Sequence, residues 1–259
     1  LDWLAVSFRE PAAAGGLGWS QKRLHRLIVT SVTYRQASTV TPEFTARDPH
    51  NRLLARGPRV RLDAEVIRDS MLASAGLLSD KMYGPGVRPP QPAGVTEVAY
   101  GSPTWEASQG EDRHRRGIYT FQKRTAPFAF TTTFDGPTGE ACIARREVSN
   151  SPLQALTLLN DPMFVEVAQA LGRLAATGAG DDAARLDLLA RRLFARSLDA
   201  EELKLLLDYL AEQRRRLAAG ELDAAALTGG EPAGSLREPA AWTLVARALM
   251  NLDEAIVKR

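Results

Sequence analysis

Three histidines, one cysteine and a pair of adjacent arginines are the residues from which this 259-residue chain would build a reactive centre. His25, His50 and His114 lie far apart, and none stands at metal-ligand spacing from another histidine or from Cys142. They read as exposed or hydrogen-bonded histidines, and no metal site is assigned. A nucleophilic Cys142 would need a histidine beside it and an electropositive setting. Arg145 and Arg146 supply charge but no histidine is near, so Cys142 reads as a buried, inert thiol. Covalent haem requires Cys-x-x-Cys-His, which one cysteine cannot provide. No phosphate-cradling glycine loop and no Gly-x-Ser-x-Gly elbow occurs. The residues therefore assign no catalytic group and no cofactor to this chain.

Polar side chains at helix ends offer a second kind of chemistry. Tyr34, Arg35, Gln36, Asn51, Arg56, Asn150, Gln154 and Asn160 suit capping and the satisfaction of buried backbone groups. The same set would bind sugar hydroxyls if it lined a cleft. Arg145 and Arg146 join it as the charged candidates. At least one of the two is expected to make a forked, partly buried pair with a carboxylate on another element, Glu65 and Asp69 being available. From 113 to 134 the chain holds five Lys or Arg, five Phe or Tyr and no acid. Charge plus stacking would suit a single strand or an anionic glycan. The favoured reading is two short strands, 118–123 and 128–134, with rings in the core and cations at the rim.

The elements that must position these groups are mostly helical. The centre is CIARREVSNSPLQALTLLNDP at 142–162. Ser149, Asn150 and Ser151 offer caps before Pro152, and Asp161-Pro162 ends one helix and caps the next. Ser20 caps an earlier helix, and Asp199 with Glu202 forms an Asp version of the capping box. A clean helix spans about 63–78, where Arg61 and Arg68 can pair with Glu65 and Asp69 at helical spacing. Residues 79–113 are rich in Pro and Gly and read as an extended crossing segment. The fold class is mainly α, with that long crossing segment and at most a minor β element. The chain reads as a single domain over 1–259, with a possible sub-division into a core at 1–177 and a helical part at 181–259 after the glycine joint at 178–180.

Composition sets only loose bounds. Apolar content of 44% and charged content of 25% are ordinary for a globular protein. A net charge of +2 gives no strong reason to expect nucleic acid or an anionic membrane. Only five of the 33 basic residues are lysine, which reads first as codon bias and second as a preference for forked pairing. No apolar run approaches the ~18 residues of a membrane span. The chain opens at Leu1 within a helical pattern and without an initiator Met, which reads as a piece of a longer polypeptide.

Several blocks together resemble one family: TSVTYRQAS at 30–38, DPHNRLLARGPRVRLDAEVIRD at 48–69, RRGIYTFQKRTAP at 115–127, FDGPTGEACIARREVSNSPLQALTLLNDP at 134–162 and AWTLVARALMNLDE at 241–254. The pattern is similar to the planctomycete domain of unknown function numbered 1553. The resemblance implies a C-terminal domain of multidomain proteins that begin with a planctomycete-type cytochrome c domain. It also implies an extracytoplasmic setting, periplasmic, envelope-bound or secreted, with haem c only in an upstream domain. It carries no catalytic residues. The expected function is a structural or interaction module, non-catalytic in isolation. Its expected partners are the upstream domains, with a polysaccharide or an envelope protein as further possibilities. The alternatives are part of a polysaccharide-acting or redox enzyme whose site is shared with the upstream domain, and a carbohydrate-binding module.

Overall fold

The computed structural model describes residues 1–95, 105–123, 126–230 and 235–258. Among them are eleven α-helices and two strands of two residues each, so the chain is mainly α. The two strands, β1 (Val60–Arg61) and β2 (Val257–Lys258), pair with each other. The chain divides into two compact units, one of residues 1–60 with the C-terminal residues from Val257, the other from Arg61 to Ile256. The glycine joint at 178–180 lies inside the second unit.

The first unit holds α1 (Asp2–Arg9), α2 (Gln21–Val29) and α3 (Pro42–Arg47). Ser20 caps α2 by accepting from the Arg23 N–H, as its sequence position predicts, and Thr41 caps α3 with Pro42 at the first helical position. Phe8 meets Trp19 edge to face at 5.2 Å. Asp48 is the one buried residue among 1–60, and no side chain of the three helices is buried.

The second unit is built on α7 (Pro162–Thr177) and α11 (Arg237–Met250). The inner side of α7 presents Phe164, Val167, Ala168, Leu171, Gly172 and Ala175, and α11 answers with Ala241, Trp242, Val245, Ala246 and Leu249. The residue at 172 must lack a side chain: a Cβ there would lie 2.3 Å from Thr243 Oγ1 and 2.7 Å from its backbone nitrogen. Around this pair stand α4 (Ala64–Ser74), α6 (Pro152–Asn160), α8 (Asp182–Phe194), α9 (Ala200–Ala218) and α10 (Ala224–Thr228). Asp161, Asp181, Asp199 and Asp223 each cap the helix that follows, and Asp199 with Glu202 forms the complete capping box.

Neither expected strand forms. Residues 117–119 make a 3-10 turn, and the chain beyond runs irregularly with a single bridge from Thr120 to Val87. The run 128–134 is instead a short helix, α5 (Ala129–Thr133). Phe130 and Phe134, four residues apart, meet on one side of it at 4.9 Å, while Phe128 occupies the cap position and stacks on Trp105. All three rings are buried as expected although the period differs, whereas Phe121 of the first stretch is exposed and Arg115 is buried rather than at the rim. The crossing segment is irregular rather than uniformly extended, with bends at 83–85 and a closing 3-10 turn at Gly110–His114. The Val87 N–H donates to the Tyr119 carbonyl at 2.8 Å and the Val87 carbonyl accepts from the Phe121 N–H at 2.7 Å, and Trp105 Nε1 donates to the Pro89 carbonyl at 2.7 Å. Residues 96–104 of that segment, Arg124 and Gly234 lie outside the described residues.

Candidate functional site

The polar residues of the central stretch are drawn into two knots within the second unit. The first centres on Arg61, just before α4. Its Nη1 donates to the Ser149 carbonyl at 2.6 Å and to Gln154 Oε1 at 3.0 Å, and its Nη2 bonds Asp135. Asp135 sits in the left-handed region, at φ 59°, directly after α5. There it also accepts from the Ser149 N–H at 3.0 Å and the Ser149 hydroxyl at 2.7 Å. Gln154, buried on the first turn of α6, closes the ring through Nε2 to the Thr133 carbonyl at 3.0 Å. Burial pushes the Asp135 carboxyl up, but Arg61 and the two Ser149 bonds outweigh it and leave it below its usual value. The knot ties three segments that are distant in sequence.

Beside it, Arg146 reaches α4. Its two terminal nitrogens fork onto the Glu65 carboxylate at 2.6 and 2.9 Å, with Asp63 at 3.6 Å. The Arg146 bonds hold the Glu65 carboxyl below its ordinary range despite partial burial. This is the forked, partly buried pair expected of the twin arginine, made by one member only. Arg145 is exposed. Cys142 is also exposed, which corrects the expectation of a buried thiol. Residues 136–151 form no helix or strand, and an irregular surface path gives a small apolar side chain no core to enter.

The second knot lies one turn further along α4. Arg68 is almost fully buried and donates to the carbonyls of Arg115 at 2.5 Å and Arg113 at 3.3 Å. Burial pushes its guanidinium down to about 10, against the attraction of Asp69 and Asp161. Arg113 and His114 both bond Glu166 on α7, the imidazole Nε2 at 3.0 Å. Burial raises the Glu166 carboxyl, yet these two partners bring it to about 2. Asp161, the cap of α7, is buried and driven the other way, to about 6. Arg115 is buried too, donating to the Pro85 and Tyr83 carbonyls with its guanidinium 3.8 Å from the Tyr119 ring centroid. Here Arg113 and Arg115 of the basic-aromatic stretch are spent on binding one segment to another. Arg61 and Arg68 do not pair with Glu65 and Asp69 as a helical ladder. Arg61 goes to Asp135, Arg116 stands 3.7 Å from Asp69, and only the neighbouring Arg68 and Asp69 meet, at 3.5 Å.

The remaining candidates stand apart. Asn51 and Arg56 close a loop on themselves: Asn51 Nδ2 donates to the Arg56 carbonyl at 2.7 Å, and Arg56 donates to the carbonyls of Asp48 and Pro49. Asp48 accepts from the Arg52 and Leu53 N–H groups, which holds its carboxyl low. Tyr34 lies under the Lys258 ammonium, 3.5 Å from its ring centroid. Arg35, Asn150 and Asn160 are exposed and Gln36 half-buried. Tyr34, Arg35, Gln36, Asn51 and Arg56 belong to the first unit, and Arg145, Arg146, Asn150, Gln154 and Asn160 to the second. Sequence reasoning missed Asp135, Ser149 and the Glu166–His114–Arg113 group. A signal existed for the first, since Asp135 is the acid that ends the acid-free run before the twin arginine. No group of three or more His, Cys, Asp or Glu is placed to hold a metal ion among the described residues.

These segments also turn large apolar side chains outward. Ile143, Val148, Leu153 and Leu156 are each more than half exposed, and Leu153 and Leu156 lie three residues apart on one side of α6. Ile118, on the 3-10 turn beside α4, is more exposed still. The fold and this site together define a helical domain in which charged motif residues bind its own segments, while Ile143, Val148, Leu153 and Leu156 of the central stretch stay exposed. The chain belongs to the family described as PSD1, protein of unknown function (DUF1553), which matches residues 1–210. No curated protein and no solved structure matches it.

Proposed function

We propose that this chain is a non-catalytic interaction module of a larger extracytoplasmic protein that carries a cytochrome c domain. One observation supports the reading above the others. Arg146, Ser149 and Gln154 of the central stretch are taken up by internal bonds, to Glu65, Asp135 and Arg61. The large apolar side chains of the same stretch are left to solvent at Ile143, Val148, Leu153 and Leu156. A catalytic cleft would show the reverse, with convergent polar groups short of partners and apolar groups withdrawn. An exposed apolar surface rimmed by polar residues marks a contact site. The haem belongs to another domain, since the single cysteine excludes a covalent attachment motif here.

The test is chemical cross-linking within the full-length polypeptide, comparing wild type with a Leu153→Glu, Leu156→Glu variant. Both side chains are exposed, so the far-ultraviolet circular dichroism of the domain should not change. Cross-links between this domain and the cytochrome domain should disappear. Unchanged cross-links would refute the interaction reading. Unchanged cross-links with loss of binding to an envelope polysaccharide would make the face a carbohydrate site instead.

A further inference from the structure

The first unit is chemically unlike the rest of the chain. Residues 1–60 contain nine Lys and Arg against four Asp and Glu, a net charge of +5 where the whole chain carries +2. The unit also buries none of the side chains on its helices. Trp3 is 69% and Trp19 66% exposed, and Leu27, Ile28 and Val29 are all exposed on α2. Lys22, Arg23 and Arg26 on the same helix have no ion-pair partner among the described residues. Their arrangement is ordered: at about 100° per residue, Leu24, Leu27 and Ile28 form one side of α2 while Lys22 and Arg26 lie opposite, with Arg23 flanking the apolar side and Val29 beside the cations.

We infer that this unit is a peripheral attachment surface for an anionic phospholipid bilayer. The occupant follows from the opposition of the two sides of α2. An acidic protein surface is a wall: it meets either the leucines or the cations, not both at once. A helix lying at headgroup depth is surrounded, with acyl chains below its apolar side and phosphates around its polar side. Two exposed tryptophans in the same unit add the residue type that settles at the membrane-water boundary. Attachment would be parallel to the surface, since no helix among the described residues is long and apolar enough to cross a membrane. This surface is independent of the α6 face, so the cross-linking experiment and the one below can fail separately.

The test is co-sedimentation of the whole chain with vesicles of phosphatidylcholine alone, and with vesicles in which about a third of the lipid is phosphatidylglycerol. Binding is expected only to the second, with a blue shift of tryptophan emission. A Lys22→Gln, Arg26→Gln variant should bind roughly 25-fold more weakly, as two factors of about five, one for each surface cation removed at about 1 kcal/mol. A Trp3→Phe, Trp19→Phe variant should still bind but lose the blue shift, because Trp242 is buried and Trp105 partly so. Circular dichroism matching wild type is the fold control for both. Equal binding to the two vesicle types, or to neither, overturns the inference. So does binding without a blue shift that polyglutamate competes away, which would make an acidic protein surface the partner.

Discussion

Asp161→Asn should stabilise the protein at neutral pH although it removes a charge close to a buried arginine. Asp161 caps α7, its Oδ1 accepting from the Met163 N–H at 2.9 Å, and it is only 5% exposed. Burial raises its carboxyl to about 6 from an ordinary 3.8, against the cap bonds and the Arg68 charge. The folded chain therefore holds this proton more tightly than the unfolded chain. Between about pH 4 and pH 6 the native state binds more protons, so stability falls as pH rises through that window and stays lower above it. At about 1.4 kcal/mol per tenfold change in proton affinity, keeping Asp161 ionised costs up to about 3 kcal/mol at neutral pH. That is a large part of a typical ~5–15 kcal/mol total. Asparagine keeps a capping oxygen and carries no charge. Urea unfolding from about pH 4 to about pH 8 should show Asp161→Asn gaining about 1–3 kcal/mol above pH 6.5, and little near pH 4. Asp161→Ala, which also loses the cap, should fall about 1 kcal/mol below the asparagine variant. If Asp161→Asn is less stable than wild type at neutral pH, the attraction to Arg68 exceeds the cost of burial and the reasoning is wrong.

Two further substitutions test the packing and the twin arginine. Gly172→Ala pushes a methyl against Thr243 where α7 and α11 cross, with the backbone nitrogen as close as 2.7 Å. It should cost about 1–3 kcal/mol or more, read as a lowered urea midpoint with an unchanged slope. Arg146→Lys loses the fork onto Glu65 and should cost about 1 kcal/mol, between the values for exposed and buried pairs, whereas the exposed Arg145→Lys should leave the midpoint in place.

What was legible in the sequence was local. Ser20, Asp161 and the Asp199–Glu202 pair sit within three residues of the N–H groups they satisfy, so their roles follow from spacing alone. The rings of 128–134 show where spacing misleads. Phe128 and Phe130 alternate as in a strand, but that step joins a cap residue to a helix, and the true period is the four-residue step from Phe130 to Phe134. The partners of Arg61 and Glu166 lie 52 or more residues away in sequence, and no local rule selects among the chain's many carboxylates and arginines. For the same reason the forked pair was foreseeable as a type, but not that Arg146 rather than Arg145 would make it. Cys142 was misjudged because its residue type favours burial while its surroundings form no element to bury it.

The arginines that bind segment to segment often grip main-chain oxygens rather than side chains. Arg61 holds the Ser149 carbonyl, Arg68 that of Arg115, Arg115 that of Pro85, Arg192 that of Ser74, and Arg247 that of Leu159. A carbonyl is present whatever residue carries it. The gripped segments are thus free to change their side chains through evolution provided their path is kept, while the gripping positions are not free even to become lysine. Related chains should accordingly differ most in the side chains of the gripped segments and agree on these five arginines, which gives the scarcity of lysine a cause in the architecture.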